Sequence, residues 1–84
     1  MQPHTKIYMD FFGYGMEDVI PCEVCDGRAV DIHHIWGRGK GKDVIFNLIA
    51  LCRAHHSMCH DNTIKKPQAQ ELHNLVIKVQ VLNQ

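Results

Sequence analysis

The chain has 84 residues, 45% of them hydrophobic, with nine Lys plus Arg balanced by nine Asp plus Glu, seven His and four Cys. A chain this short reads as one domain over 1–84, and it buries too small a fraction of its surface to be held by apolar contacts alone, so it needs a staple. The balanced charge removes any whole-chain argument for a polyanion partner, and no apolar run is long enough for a helix to cross a bilayer, so no membrane role is expected.

In chain order, Thr5 to Phe12 presents Ile7, Tyr8, Phe11 and Phe12 on one side before Gly13 and Gly15, which predicts a short helix lidding the core. Pro21 leads into Cys22-x-x-Cys25, and Asp26-Gly27 supplies a turn that aims both sulfurs at one point. Ala29 to Ile35 is rich in β-branched residues and predicts a strand. Glycines at 37, 39 and 41 alternate with Arg38 and Lys40, so a mobile loop is expected there. Ile45 to Leu51 predicts a second strand with Asn47 near its start, followed by a helix from about Arg53 to Cys59 or slightly beyond. Pro67 suits the first turn of a last helix, about 67–82, in which Ala69, Leu72, Leu75, Val76, Val79 and Leu82 recur at helical spacing. That helix packs on the domain or on a second copy, giving a homodimer.

Cys22-x-x-Cys25 and Cys52-x-x-His55 have the two-residue ligand spacing of a structural zinc site. Disulfides are the competing use of four cysteines. The absence of an apolar stretch with a cleavage site predicts a cytoplasmic chain with reduced thiols, which favours Zn²⁺. Cys52, His55 and Cys59 form one helical stripe, so Cys59 is an alternative to His55 as fourth ligand. The compact Cys-x-x-His spacing favours His55 and leaves Cys59 a small buried hydrophobe.

Taken together, Cys22-x-x-Cys25, Asp31-Ile32-His33-His34-Ile35, the run from Asn47 through Cys52 to His55-His56, and then His60 resemble the ββα-metal, or HNH (His-Me finger), nuclease family. The resemblance covers roughly half of the chain, and motifs in this order are specific. It implies an α+β fold, a small ββα-metal domain with a zinc knuckle and a motif core over 22–60, flanked by a short N-terminal helix and a C-terminal helix. It also implies a metal-dependent DNA endonuclease, with His34 as general base, His33 as a ligand of a catalytic divalent metal (Mg²⁺, Mn²⁺, Ni²⁺ or Zn²⁺), and Asn47 holding His34 in orientation by tying down the loop. A paired histidine followed by His-x-x-x-His is similar to the bacterial toxin branch, which has three histidine ligands. Many members carry Asp where His33 stands and lack His60. Small free-standing members occur in phage and bacterial genomes, so a bacterial or phage-infected cell is the expected setting.

The residues themselves allow this chemistry. Phosphodiester cleavage needs one group to take a proton from water while an ion accepts charge, and neutral imidazole suits either task. Adjacent strand residues project to opposite faces, so His33 and His34 diverge, while His56 and His60, four apart on a helix, share a face. Arg38, Lys40, Lys42 and Arg53 fall within this region and are candidate DNA-phosphate contacts, a solvated charged loop being the equal alternative. His4 and His73 lie outside the motif and read as ordinary surface or core residues. Two other functions compete with the nuclease. One is a catalytically inactive, zinc-stabilised nucleic-acid-binding or adaptor module. The other is a toxin-like nuclease held by an immunity partner.

Overall fold

The computed structural model describes residues 2–83. Its elements run α1 (Pro3–Phe12), β1 (Asp31–His34), a 3-10 turn (Ile45–Asn47), β2 (Leu48–Leu51), α2 (Arg53–His60) and α3 (Lys66–Leu82). Among the described residues, three α-helices surround one two-stranded antiparallel sheet, a small α+β arrangement.

All four residues of β2 are fully buried. Alternation along the strand sends Leu48 and Ala50 to one face, where they pack with Tyr8 of α1, and Ile49 and Leu51 to the other, where they pack with Cys22, Ile35 and Ala69. β1 pairs with β2 in a register that sets His33 against Ile49 and His34 against Leu48, so it inherits the same two sides. Ile32 and His34 face α1, whereas Asp31 and His33 face α2.

Local chemistry fixes the ends of the helices. Pro3 opens α1, and Gly13 closes it in the left-handed region, φ 74°, returning its N–H to the Met9 carbonyl. At the start of α3 the Gln68 side chain accepts the Lys65 N–H at 2.8 Å, with Pro67 in the first turn.

Three expectations need correcting. The second strand is shorter than the apolar run, because Ile45–Asn47 turns as a 3-10 segment with Asn47 N–H bonded to the Val44 carbonyl at 2.9 Å. The turn is held from outside, by His73 Nε2 on the Ile45 carbonyl at 2.6 Å and by the Asn47 side chain bonding to the preceding loop. The first strand spans Asp31–His34 rather than Ala29–Ile35, since Ala29 N–H bonds instead to the Ile20 carbonyl of the cysteine knuckle. On α3, the packed face is Ala69, His73 and Ile77, while Leu75, Val79 and Leu82 of the expected stripe are exposed.

A polar contact selects that face. His73 is fully buried and Glu23 is 3% exposed. The Glu23 carboxylate accepts from Tyr8 Oη at 2.6 Å, Ala50 N–H at 3.0 Å and His73 Nδ1 at 2.7 Å. Both His73 nitrogens are engaged, Nδ1 with the Glu23 carboxylate and Nε2 with the Ile45 carbonyl, so the ring ties the knuckle to the 3-10 turn in a buried pair with Glu23. Burial, followed by the Glu23 carboxylate, pushes the Tyr8 hydroxyl far above its ordinary range, keeping it a donor. His73→Ala, which strands a buried carboxylate, is expected to cost about 3–5 kcal/mol. Tyr8→Phe, which removes one hydrogen bond, is expected to cost about 1–3 kcal/mol. Urea unfolding of the zinc-loaded protein measures both, and a His73→Ala loss no larger than that of Tyr8→Phe would contradict the assignment of the pair.

Candidate metal centres

The first centre grows from the knuckle at residues 20–29. Pro21 and Arg28 form an antiparallel bridge. Between them Asp26 takes a left-handed conformation, φ 62°, with its N–H on the Cys22 carbonyl at 2.9 Å. Gly27 N–H then approaches the Cys25 sulfur at 3.4 Å, and a Cβ at Gly27 would stand 3.2 Å from it, so a side chain there would crowd the thiol. From the far side, Cys52 precedes α2 and His55 lies in its first turn.

Cys22, Cys25, Cys52 and His55 thus converge, with all four donor atoms within 4.8 Å of one another. The Cys25 and Cys52 sulfurs are 3.8 Å apart, and His55 Nδ1 is 3.8 Å from Cys22 Sγ and 3.2 Å from Cys52 Sγ. Tetrahedral zinc with ordinary bond lengths puts sulfurs about 3.8 Å apart and sulfur and nitrogen about 3.6 Å apart. This cluster can therefore hold a structural metal such as zinc. Burial opposes ionisation of Cys22, but the backbone N–H groups of Cys52, Val24 and Cys25 outweigh it and bring the thiol down to about 7. Cys25 gains from the Gly27 N–H, yet burial and the neighbouring sulfurs of Cys22 and Cys52 carry it upward. A cation among these sulfurs would favour their thiolate forms. Cys59 lies outside the group, beside the apolar cluster around Cys22, and burial raises its thiol.

A second group joins His33 of β1 to His56 and His60 of α2, again with donor atoms within 4.8 Å. One helical turn stacks His56 over His60 with their Nε2 atoms 3.1 Å apart, close to the roughly 3.3 Å expected for two imidazoles on one ion. Asp31 Oδ2 lies 3.0 Å from His56 Nδ1, which fixes that ring with Nε2 toward the other two histidines. Burial, then repulsion from His56, His60 and His34, pushes His33 down to about 4, the neutral form that a ligand needs.

His34 turns the other way. It is 6% exposed, its Nε2 is 2.7 Å from Asp43 Oδ1, and its ring lies against that of His4 with centroids 4.6 Å apart. Asn47, 7% exposed, is saturated by the loop: its Oδ1 accepts Trp36 N–H at 2.8 Å, and its Nδ2 donates to the Gly37 carbonyl at 3.2 Å and to the Lys42 carbonyl at 2.9 Å. The amide thus ties both ends of the glycine-rich segment down beside His34.

A cleft of about 420 Å³ opens between β1, the loop and α2, with His33, His34, His56, His60, Arg38 and Lys66 on its walls. Arg38 also borders a neighbouring cleft with His4, Asp31 and His56. Of the four cations expected to meet phosphate, Arg38 is the one lining these clefts. Lys40 and Arg53 are exposed elsewhere, and Lys42 donates to the Trp36 carbonyl at 3.1 Å. Sequence reasoning missed Asp31, Asp43, His4 and Lys66. Asp31 was within its reach, because residues two apart on a strand share a face and Asp31 therefore accompanies His33.

Compared with protein-family models, curated proteins and solved structures, the chain matches none of them.

Cys25→Ser is expected to lose one equivalent of zinc and to unfold, because a site of this kind contributes on the order of 10 kcal/mol, comparable with the whole stability of a small domain. Cys59→Ser is expected to retain that zinc and the native circular dichroism. Loss of the metal from the Cys59 variant, by elemental analysis, would place Cys59 among the ligands.

Proposed function

We propose that the chain is a metal-dependent DNA endonuclease of the HNH kind, with His34 as the base and the His33, His56 and His60 group as the seat of a divalent ion. One observation carries the reading. Two histidines adjacent in sequence serve different groups that open into one cleft, His33 in a set of imidazoles with metal-ligand spacing and His34 on a carboxylate.

The division of labour follows from the hydrogen bonds. With Nε2–H donated to Asp43, the Nδ1 lone pair of His34 is left to take a proton from water, and the Asp43 carboxylate at 2.7 Å stabilises the imidazolium so formed. Asn47 supports this indirectly, by fixing the backbone from Trp36 to Lys42 that carries the loop past His34. Asp31 plays the matching part for His56. A divalent ion held by the three imidazoles supplies positive charge for the leaving oxygen. An all-imidazole set favours a transition ion such as Zn²⁺ or Ni²⁺ over Mg²⁺. Arg38 and Lys66 give the cleft the cations that a phosphate backbone would meet.

A single site of this kind cuts one strand. The exposed Leu75, Val79 and Leu82 of α3 offer an apolar stripe through which two copies would pair to cut both. A binding or adaptor module would have no use for an imidazole held on a carboxylate inside a basic cleft, and this favours the enzyme.

The test is nicking of supercoiled plasmid with Mg²⁺, Mn²⁺, Ni²⁺ or Zn²⁺, with EDTA as control. His34→Ala is expected to keep its fold, its knuckle zinc and DNA binding while losing about 10²- to 10⁴-fold in rate; undiminished cutting would remove His34 from the role of base. Asp31→Ala is expected to weaken ion binding at the histidine group about 10- to 100-fold by calorimetry. DNA binding by the parent without cutting in any of the ions would favour the binding module.

A further inference from the structure

His4 is the buried side chain for which the proposed chemistry has no use. It is 6% exposed, yet its ring makes no hydrogen bond among the described residues, whereas Asn47 and His73 are fully engaged. Among the described residues no buried side-chain nitrogen or oxygen is without a partner, so the His4 nitrogens reach solvent, at the cleft that His4 shares with Arg38 and Asp31, and are open to a ligand. Three separate parts of the fold meet there: α1 brings His4, β1 brings His34, and the loop brings Asp43, with one donor atom from each lying within 4.8 Å of the others.

We propose that His4, His34 and Asp43 form a further metal site, for a divalent transition ion, and that filling it disables His34 as a base. Two imidazoles and one carboxylate are a donor set for Zn²⁺ or Fe²⁺ rather than for Mg²⁺. His34 Nε2 and Asp43 Oδ1, 2.7 Å apart in a hydrogen bond, would have to open to about 3.3 Å to share one tetrahedral ion, and the Asp43 side chain, 46% exposed, is placed to make that small adjustment.

The consequence for His34 is a change of tautomer. Without an ion the single ring proton sits on Nε2, toward Asp43, and Nδ1 is the acceptor. An ion on Nε2 displaces that proton, which moves through solvent to Nδ1, so no proton is gained or lost overall and the accepting lone pair disappears. This inhibitory step rests on the reading of His34 as the base, whereas the binding does not.

Equilibrium dialysis against Zn²⁺ with elemental analysis tests the site. The parent is expected to bind three ions per chain, one each for the knuckle, the histidine group and the new site. His4→Phe, which keeps a ring against His34 and removes its nitrogens, is expected to bind two, and so is Asp43→Asn, which covers a failure of the first variant to fold. Two ions on the parent, or three on both variants, would overturn the site. In the nicking assay supported by Mn²⁺, added Zn²⁺ is expected to inhibit the parent, and His4→Phe, active at low zinc, is expected to need about 10-fold more for the same effect. Equal zinc sensitivity of parent and variant would overturn the inhibition alone. Three ions on a parent that nicks with no metal would uphold the site and end the nuclease reading instead.

Discussion

Leu48 to Leu51 can be wholly buried only because different elements cover the two faces of β2, α1 on one side and the knuckle with the start of α3 on the other. A strand buried on both faces leaves its partner no freedom of register, since a slip of one residue would carry every side chain to the opposite face. β1 is therefore pinned opposite β2, and the pleat becomes a sorting device. Asp31 and His33 go toward α2, while Ile32 and His34 go toward α1. Hydrophobic burial thus decides where the imidazoles point. The chemistry proposed for them requires two adjacent residues to have different neighbours, and a strand covered on both sides delivers that with no special backbone geometry.

Glu23 couples this sheet to the cysteine centre. It stands between Cys22 and Cys25, and its carboxylate holds Tyr8 of α1, Ala50 of β2 and His73 of α3. The knuckle that presents two thiolates to a metal therefore also fixes the residue on which both flanking helices depend. An ion held by the cysteine cluster would order 22–25 and with it Glu23, whose carboxylate seats Tyr8 of α1. In so small a domain a buried ionic contact is weak as a source of net stability, but here it specifies orientation. An apolar isostere at Glu23 would leave the Ala50 N–H, the Tyr8 hydroxyl and His73 Nδ1 without acceptors, and α3 free to rotate its apolar Leu75 and Val79 inward.

That alternative rotation explains what the sequence concealed. The apolar spacing along α3 is genuine, and a reader of periodicity chooses Ala69, Leu72, Leu75, Val76, Val79 and Leu82 as the packed stripe, of which Ala69 is buried and Val76 partly so. The actual choice is made by His73, whose partner Glu23 lies 50 positions away, and no local pattern announces a pairing at that distance. The 3-10 turn before β2 was hidden for the same reason, because it is held by His73 and by the Asn47 side chain rather than by its own residues. Features set by short-range geometry were legible: the two Cys-x-x-ligand pairs, the shared helical face of His56 and His60, and the divergence of His33 from His34; the tie between Asn47 and the loop is an expectation from the family resemblance alone. Asp43 and His4 gave no signal, since each acquires its neighbour only when α1 and the loop fold over the sheet.

The two sides of β1 also differ in charge, and this bears on which histidine takes which duty. On the α2 side, His33 sits among other imidazoles, and the nearby Asp31 carboxylate is engaged with His56. Protonation of His33 would place a charge in a crowded, half-buried spot, and burial foremost, with repulsion from the neighbouring imidazoles, holds it down to about 4. Such a ring stays a lone-pair donor across the physiological range, the condition for a ligand. On the α1 side, a carboxylate lies 2.7 Å from His34 and offsets the charge that a captured proton would bring. Similar residues in adjoining positions thereby have unlike surroundings, one crowded by other imidazoles and the other set on a carboxylate. Exchanging the two environments would leave both rings in place and remove the asymmetry on which general-base chemistry beside an ion depends.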